Sequence, residues 1–299
     1  AAKTEYWRWY GMLDALKITV LAEDSVPYES PLLGQHGVSF WLEAEANGDL
    51  KRVLIDVGQN PDALLYNIER LKIPLGETDA VVLTHCHYDH TQGLSKILKA
   101  MGRRDVPVIA HPALFRPNFI TAPFFRHVGV MQGDEPLDIQ AAGGSLFLFS
   151  ERLQLMPGLA TTGEVPRTTD FEEVGIALST VDEKGRVVPD QMPDDIALVA
   201  RVKEKGAVVV TGCSHAGIIN ILKHSIEPGE RLDAVIGGLH LVEASKDRIQ
   251  KTVSALKEFA PSLVAAGHCT GFRAQAALYS EFGEKFATMG VGTVFAFKA

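Results

Sequence analysis

The histidines of this chain cluster at the ends of predicted β-strands, and this placement constrains the fold more than any other feature. Ends of neighbouring strands converge in space, so side chains placed there are expected to meet around one point. The sequence therefore predicts one polar site built from several strand ends. Six of the ten histidines occupy such positions: His85, His87, His90, His215, His240 and His268.

The densest cluster is the run Thr-His-Cys-His-Tyr-Asp-His at 84–90. Extended backbone places His85 and His87 on the same side of the chain, and the turn into the next helix brings Asp89 and His90 back towards them. Imidazole and carboxylate are ligands for Zn²⁺, Mn²⁺ or Fe²⁺, and a catalytic centre keeps one position for water. We predict one or two divalent ions here, with zinc as the first expectation and manganese or iron as alternatives.

Strand-like runs alternate with helical ones along the chain, without internal repeats. Strands in both halves, some joined as hairpins and others separated by helices, predict two mixed sheets packed face to face with helices outside. This is an αββα sandwich of the α/β (α+β) class. Strands are predicted at 18–21, 37–44, 51–56, 80–84, 106–110, 208–211, 234–236 and 263–265, and helices at 61–71, 93–101, 216–224, 246–259 and 273–286.

One domain over residues 1–299 is expected to account for the chain, with an insertion at about 112–140. This stretch is irregular and rich in phenylalanine, which is typical of a lid or substrate loop. An inserted segment packed for purely structural reasons is the alternative, because phenylalanine is usually a core residue. The guanidinium groups of Arg116, Arg126 and Arg167 are candidates for gripping a substrate phosphate or carboxylate.

Composition excludes several classes of protein. No apolar run approaches the roughly 18 residues that span a bilayer, so no membrane partner is expected. The formal net charge is -8 without a basic cluster, which argues against nucleic acid as a partner. Three cysteines are too few for a disulfide framework, so a reducing, cytoplasmic location is expected. A small-molecule substrate remains the expected partner, with the oligomeric state left open.

The run His-x-His-x-Asp-His after a strand resembles the signature of the metallo-β-lactamase fold superfamily of metal-dependent hydrolases. The family's preceding aspartate matches Asp56, in Leu-Ile-Asp-Val-Gly. Other runs are similar to the branch that includes the dihydropterin-ribofuranosylaminobenzene phosphate synthases, and they extend over nearly the whole chain after about residue 18. These are Gly-Gln-His-Gly-Val-Ser at 34–39, Thr-Gly-Glu-Val-Pro-Arg at 162–167, Thr-Gly-Cys-Ser-His-Ala-Gly-Ile at 211–218, Gly-Gly-Leu-His-Leu at 237–241 and Gly-His-Cys-Thr-Gly at 267–271.

The resemblance implies the metallo-β-lactamase αββα sandwich and a dinuclear metal site. It assigns His85 and His87 to the first ion, and Asp89 and His90 to the second. His268 matches the histidine that completes the second site. The chain departs from the branch near its start, where Ala-Glu-Asp at 22–24 replaces a more typical Val-Asp-Asn.

The remaining ligands follow less directly from the resemblance. Many members carry a bridging aspartate in a Thr-Gly-Asp run, whereas this chain has Thr-Gly-Cys-Ser-His at 211–215. We expect His215 to be the replacement ligand, with Cys213 packed nearby as the alternative, and Glu164 remains open. Asp56 is expected to accept a hydrogen bond from a ligand imidazole and fix its tautomer. Asp89 and His240 are the predicted catalytic residues, although His240 also suits a ligand or a substrate contact.

The leading functional hypothesis is an enzyme whose ions lower the pKa of a bound water or polarise a phosphoryl or acyl oxygen. In the synthase variant the same Lewis acidity stabilises a departing diphosphate, so an anionic aromatic or heterocyclic substrate is expected. Alternatives are a lactonase or phosphodiesterase, an iron-dependent redox enzyme, and a binding protein without catalysis. Retention of the whole ligand set argues against the last.

Overall fold

A computed structural model describes residues 11–174 and 176–299. Within these residues the strands are β1 (Ala15–Ala22), β2 (Ser39–Ala46), β3 (Asp49–Ile55), β4 (Ala80–Val82), β5 (Val106–Ala110), β6 (Phe119–Ile120), β7 (Arg126–His127), β8 (Gly144–Leu148), β9 (Gln154–Met156), β10 (Leu159–Thr161), β11 (Leu178–Val181), β12 (Val187–Pro189), β13 (Ala197–Val202), β14 (Gly206–Thr211), β15 (Leu232–Gly238), β16 (Leu263–Gly267), β17 (Phe286–Thr288) and β18 (Val294–Lys298). The α-helices are α1 (Pro61–Arg70), α2 (Tyr88–Thr91), α3 (Leu94–Met101), α4 (Pro136–Ala141), α5 (Ile218–Ser225), α6 (Lys246–Glu258) and α7 (Phe272–Phe282). Short 3-10 helices occupy Leu75–Glu77, Pro112–Phe115, His268–Thr270 and Gly283–Lys285.

Two mixed seven-stranded sheets carry most of these strands. The first has the order β18-β1-β2-β3-β4-β5-β8, and the second β17-β16-β15-β14-β13-β10-β9. In the first sheet β3, β4, β5 and β8 run parallel, and in the second β14 to β17 do so. The predicted hairpin between β2 and β3 is confirmed, with Asn47 and Gly48 both at positive φ in the tight turn.

Three apolar layers hold the sandwich together. Alternate residues of the two sheets, such as Ile18 and Phe40 facing Val210 and Ile236, form the central layer. The outer face of the first sheet packs against α1, α3 and α4, and that of the second against α5, α6 and α7. Each sheet is covered by the other sheet on one face and by helices on the opposite face. Its central strands are therefore buried on both sides and have continuous apolar sequences. The predicted αββα architecture is confirmed.

The boundaries of two predicted helices show how local signals work. Helix α1 begins as predicted, because Asn60 caps the free N–H groups of Asp62 and Ala63. The predicted helix at 273–286 is too long. It ends at Phe282, where Gly283 adopts a positive φ, and Phe286 begins β17, which pairs in parallel with β16. Pairing with an open sheet edge outweighs helical periodicity there.

A third, four-stranded sheet was not predicted. It has the order β12-β11-β6-β7 and joins two sequence regions more than fifty residues apart. Strands β6 and β7 come from the stretch 112–140, which also contains α4, so part of that stretch is regular structure. The exposed tip between β6 and β7 carries Phe124 and Phe125. Its role as a lid stays a prediction.

The parallel strands direct the polar loops to a single edge of the sandwich. Strands β3 and β4 of the first sheet, and β14, β15 and β16 of the second, each end where a predicted site residue follows. The carboxyl ends of parallel strands are the usual location of sites in α/β folds. No helix in the described part of the chain is both long and apolar enough to cross a membrane.

Candidate metal centre

Five loops meet at this edge, and each supplies at least one polar side chain. The predicted convergence of the six strand-end histidines is confirmed, because their rings form a continuous series of contacts with centroids 4.1–5.3 Å apart. The contributions are Asp56 after β3, His85, His87, Asp89 and His90 after β4, Cys213 and His215 after β14, His240 after β15, and His268 after β16.

His85, His87 and His215 form the first candidate metal pocket, and their ligand atoms all lie within 4.8 Å of one another. His85 Nε2 and His87 Nδ1 are 3.2 Å apart. A tetrahedral ion with nitrogen bonds of about 2.0–2.1 Å separates its ligand atoms by roughly 3.3 Å. The spacing of the two nitrogens therefore suits one shared ion, with His215 as the third ligand.

Asp89, His90 and His268 form the second candidate metal pocket. Asp89 Oδ2 lies 3.5 Å from His90 Nε2 and 3.2 Å from His268 Nε2. The short helix α2 carries Asp89 and His90 together, and a left-handed backbone at His268 (φ 48°) turns its side chain back from β16. Strained backbone of this kind is concentrated at functional sites.

Asp56 fixes the orientation of the imidazole that stands between the two pockets. As predicted, its Oδ2 accepts a hydrogen bond from an imidazole of the motif, that of His90 Nδ1, at 2.7 Å. Its carboxylate also accepts bonds from the Thr84 amide and hydroxyl, both at 2.7 Å. Because His90 Nδ1 donates to Asp56, His90 Nε2 is the ring nitrogen that would bind an ion. Cys213 Sγ lies 3.1 Å from that nitrogen.

Burial and charge give the two pockets different protonation states. Burial lowers the pKa of His85 and lowers that of His87 to about 4, so both imidazoles are neutral near pH 7. At His90 burial also lowers the pKa, but the carboxylates of Asp89 and Asp56 outweigh it and raise the pKa to about 9. A metal ion that enters the second pocket must therefore displace a proton. The neutral imidazoles of the first pocket can bind a metal ion without losing a proton.

Unpartnered buried nitrogens test whether these residues fit a metal. Within residues 11–174 and 176–299, His215 Nε2 and both ring nitrogens of His240 are buried without a hydrogen bond. His268 Nε2 also makes none, because Asp89 Oδ2 lies near it but outside hydrogen-bond geometry. Each such atom costs about 1–3 kcal/mol unless something binds it. The donor set and these free nitrogens fit divalent metal ions.

Asn118 orients the imidazole of His87, and no local sequence pattern predicts this contact. Asn118 Oδ1 lies 3.1 Å from His87 Nε2, and Asn118 Nδ2 donates to Asp190 at 2.8 Å. This leaves His87 Nδ1 as the atom that faces His85. Asn118 lies in the irregular stretch before β6, where spacing carries no information about its tertiary neighbours.

Asp24 and Glu23 position His268 from the loop after β1. Asp24 Oδ2 lies 2.5 Å from His268 Nδ1, and Glu23 Oε1 accepts a bond from the His268 amide at 2.5 Å. Asp24 Oδ1 also contacts His36 Nδ1 at 2.9 Å, and His36 Nε2 reaches to 3.4 Å from Asp89. The sequence signals for this group were the departure from the family pattern at 22–24 and the family-like run at 34–39 that contains His36.

The three predicted substrate arginines lie in different environments. Arg116 is ion-paired with Asp190 and Asp194, whose side chains are almost completely buried. Arg167 donates to the carbonyl oxygen of His215 at 2.7 Å and therefore braces the loop that holds this histidine. Arg126 lies exposed on β7. Burial raises the pKa of Tyr88 in the metal motif, and the positive charge of Arg126 partly opposes this.

Glu164, left open as a ligand, stands apart from the pockets. Its side chain is half exposed and lies 3.5 Å from His111 Nε2. It belongs to none of the groups whose ligand atoms converge within the described residues.

Comparisons with known proteins agree with this geometry. Residues 51–136 match the β-lactamase superfamily domain. The chain is 39% identical over 291 residues to 7,8-dihydropterin-6-methyl-4-(β-D-ribofuranosyl)-aminobenzene-5'-phosphate synthase of Methanocaldococcus jannaschii, covering 96% of this chain and 98% of the relative. An uncharacterized protein of the same organism is 30% identical over 254 residues, covering 84% and 90%.

Solved structures share the whole architecture. A metal-dependent hydrolase of the β-lactamase superfamily superposes with a TM-score of 0.73 at 26% identity, covering 95% of this chain and 100% of that one. The metallo-β-lactamase fold protein YhfI from Bacillus subtilis superposes with a TM-score of 0.53 at 15% identity, with coverage of 95% and 100%, which supports the fold alone. The chain is therefore an enzyme of the metallo-β-lactamase superfamily and belongs to the family of the dihydropterin-ribofuranosylaminobenzene phosphate synthases.

Proposed function

We propose that this enzyme joins a dihydropterin to a ribofuranosylaminobenzene phosphate, with two zinc ions as its cofactor. The observation that carries the proposal is the 39% identity to a synthase of this kind along almost the full length of both chains. The two adjacent candidate metal pockets support the proposal, because a diphosphate leaving group has enough oxygen atoms to contact an ion in each. Hydrolysis is the competing function, suggested by the 26% identical metal-dependent hydrolase.

Two bound ions would supply Lewis acidity to the diphosphate, which stabilises the negative charge that develops on its oxygen. The aminobenzene nitrogen attacks the exocyclic carbon of the pterin, a C–N bond forms, and the C–O bond to the diphosphate breaks. The amine proton passes to solvent water. Asp89 would hold the second ion, while Asp56 keeps His90 Nε2 directed at the site.

The tip of the β6–β7 hairpin is the proposed contact for the flat parts of the substrate. Phe124 and Phe125 are 66% and 69% exposed, which is unusual for phenylalanine in a protein with a large core. The Phe125 ring contacts Phe119, which is buried, so the tip is tied to the third sheet. Aromatic side chains of this kind offer stacking surface to a pterin or aminobenzene ring.

Arg126 at the same tip is proposed to bind the anionic end of the substrate. We expect Arg126→Ala to lower kcat/KM for a phosphorylated substrate by about tenfold to a hundredfold, the loss of one charge-assisted contact. Metal content should stay unchanged. Arg104→Ala, an exposed arginine in the turn between α3 and β5, is the matched control and should have no effect. Equal turnover of the phosphorylated substrate and its dephosphorylated form by the unmutated enzyme would refute this role.

The proposed function is tested by supplying zinc-loaded enzyme with the dihydropterin diphosphate and the ribofuranosylaminobenzene phosphate. Mass spectrometry should detect the coupled product, with one diphosphate released per product. Diphosphate release that does not need the amine substrate would instead identify a hydrolase. Metal analysis of enzyme purified without added ions tests the alternative of an iron-dependent redox enzyme. Bound iron with redox-active spectroscopic signals would favour that alternative.

A further inference from the structure

Three sulfur and nitrogen ligands converge beside the two histidine pockets, on the side of the second sheet. They are Cys213, His240 and Cys269, and their ligand atoms all lie within 4.8 Å of one another. Each follows a different strand, and the three strands β14, β15 and β16 are adjacent in the sheet. Cys269 belongs to neither histidine pocket, and His240 is likewise absent from both.

His240 shows that this cluster lacks a partner. Only 8% of the residue is exposed, and in the described part of the chain neither ring nitrogen makes a hydrogen bond. A buried imidazole normally donates through one nitrogen and accepts through the other. Both thiols are buried as well and form no disulfide. Cys213 Sγ lies 3.1 Å from His90 Nε2, and Cys269 Sγ lies 3.6 Å from the Cys213 carbonyl oxygen. A bound ion is the simplest partner that such a ring and two sulfurs can share.

The backbone around the cluster is built for close approach. A Cβ atom on Gly238 would lie 2.6 Å from Cys269 Sγ and 2.5 Å from the Gly212 carbonyl oxygen, so only glycine fits there. The carbonyl oxygen of Cys269 accepts bonds from the amides of Leu241 and Val242, both at 3.0 Å. These bonds lock the loop after β15 to the loop after β16. The ligands are therefore held in place by the fold before any ion arrives.

We propose that Cys213, His240 and Cys269 form a third metal site for a thiophilic divalent ion such as zinc. Two thiolates and one imidazole are a known ligand set for tetrahedral zinc, with a fourth position open. Soft sulfur ligands distinguish this site from the two pockets, whose ligands are nitrogen and oxygen. The proposal gives His240 a ligand role in place of the catalytic role suggested by the sequence. It does not rest on the proposed synthase function.

Cys213 lies where this site meets the histidine pockets. Its sulfur is 3.1 Å from His90 Nε2, so Cys213 could bind an ion in a histidine pocket or in the proposed three-residue site. A thiolate signal alone would not distinguish these two cases. Cys269 makes the distinction, because it can bind an ion only within the proposed site. A variant at Cys269 is therefore the informative one.

The test is a titration of reduced, metal-free full-length protein with Cd²⁺, a thiophilic probe that gives thiolate charge-transfer absorbance when bound to sulfur. The unmutated protein should bind one more equivalent of Cd²⁺ than Cys269→Ser, and the variant should lose at least about half of the absorbance. Ser225→Ala is the matched control, because Ser225 is a buried side chain of similar size at the end of α5 and belongs to no ligand group within the described residues. It should titrate like the unmutated protein.

The same stoichiometry and absorbance in Cys269→Ser and the unmutated protein would overturn the proposal, as would the absence of thiolate absorbance in the reduced unmutated protein. If Cys269→Ser does not fold, pulsed alkylation of the unmutated protein decides. Bound Cd²⁺ should then protect Cys213 and Cys269 together, and protection of Cys213 alone would reject the site. Synthase activity enters neither measurement, so its failure leaves this result unaffected.

Discussion

Asp89→Ala is expected to lower kcat/KM by at least about 1,000-fold and to remove one equivalent of metal. Asp89 Oδ2 lies 3.5 Å from His90 Nε2 and 3.2 Å from His268 Nε2. Without this oxygen, the second pocket keeps only the two imidazoles of His90 and His268 as ligands. Burial lowers the pKa of His90, and the Asp56 carboxylate raises it. Losing Lewis-acid stabilisation worth about 4 kcal/mol corresponds to three powers of ten in rate.

Metal content after dialysis and steady-state kinetics check this result together. His85, His87 and His215 do not contact the lost carboxylate as ligands, so one equivalent should remain in the first pocket. Asp134→Ala is the matched control. It removes another buried carboxylate, one that accepts hydrogen bonds from the amides of Gly93 and Ser95 at the start of α3. That variant should lose stability and keep its metal, and full metal content in Asp89→Ala would contradict the assignment.

Arg116→Met is expected to lower the free energy of unfolding by about 3–5 kcal/mol, because it leaves two buried carboxylates without their cation. The guanidinium Nε and Nη2 bind both oxygens of Asp190 at 2.7 and 2.9 Å, and Nη1 lies 2.7 Å from Asp194. Asp194 in turn accepts the Cys86 amide at 2.7 Å, inside the metal motif. Loss of the pair should therefore also loosen the loop that carries His85 and His87.

Urea denaturation measures this change, with Arg186→Met as its control. Arg186 is 68% exposed and pairs with Asp182 four residues earlier, so its loss should leave the free energy of unfolding essentially unchanged. The experiment also tests the substrate role predicted for Arg116 from the sequence. A raised KM with unchanged stability would favour substrate binding, whereas a stability loss of the expected size favours the ion pair with Asp190 and Asp194.

Features that depend on a few consecutive residues were predictable from the sequence. The His-x-His-x-Asp-His run after a strand places its side chains through backbone geometry alone, since strand alternation and one helical turn fix their directions. The start of α1 at Asn60 and the turn at 47–48 follow from the same kind of local chemistry. The alternation of strands and helices sufficed for the αββα class, because each apolar face needs another layer to cover it.

What the tertiary structure decided is which distant residues complete the site. Asp24 and Asn118 reach the centre from loops far from the metal motif along the chain, and the contact between Glu23 and His268 spans 245 positions. Arg116, which the sequence suggested as a substrate-binding residue, forms an ion pair with Asp190 inside the protein. Such contacts depend on strand order and on how two sheets pack, and these follow from the burial of the whole core. A pattern of spacing within one segment contains no record of them.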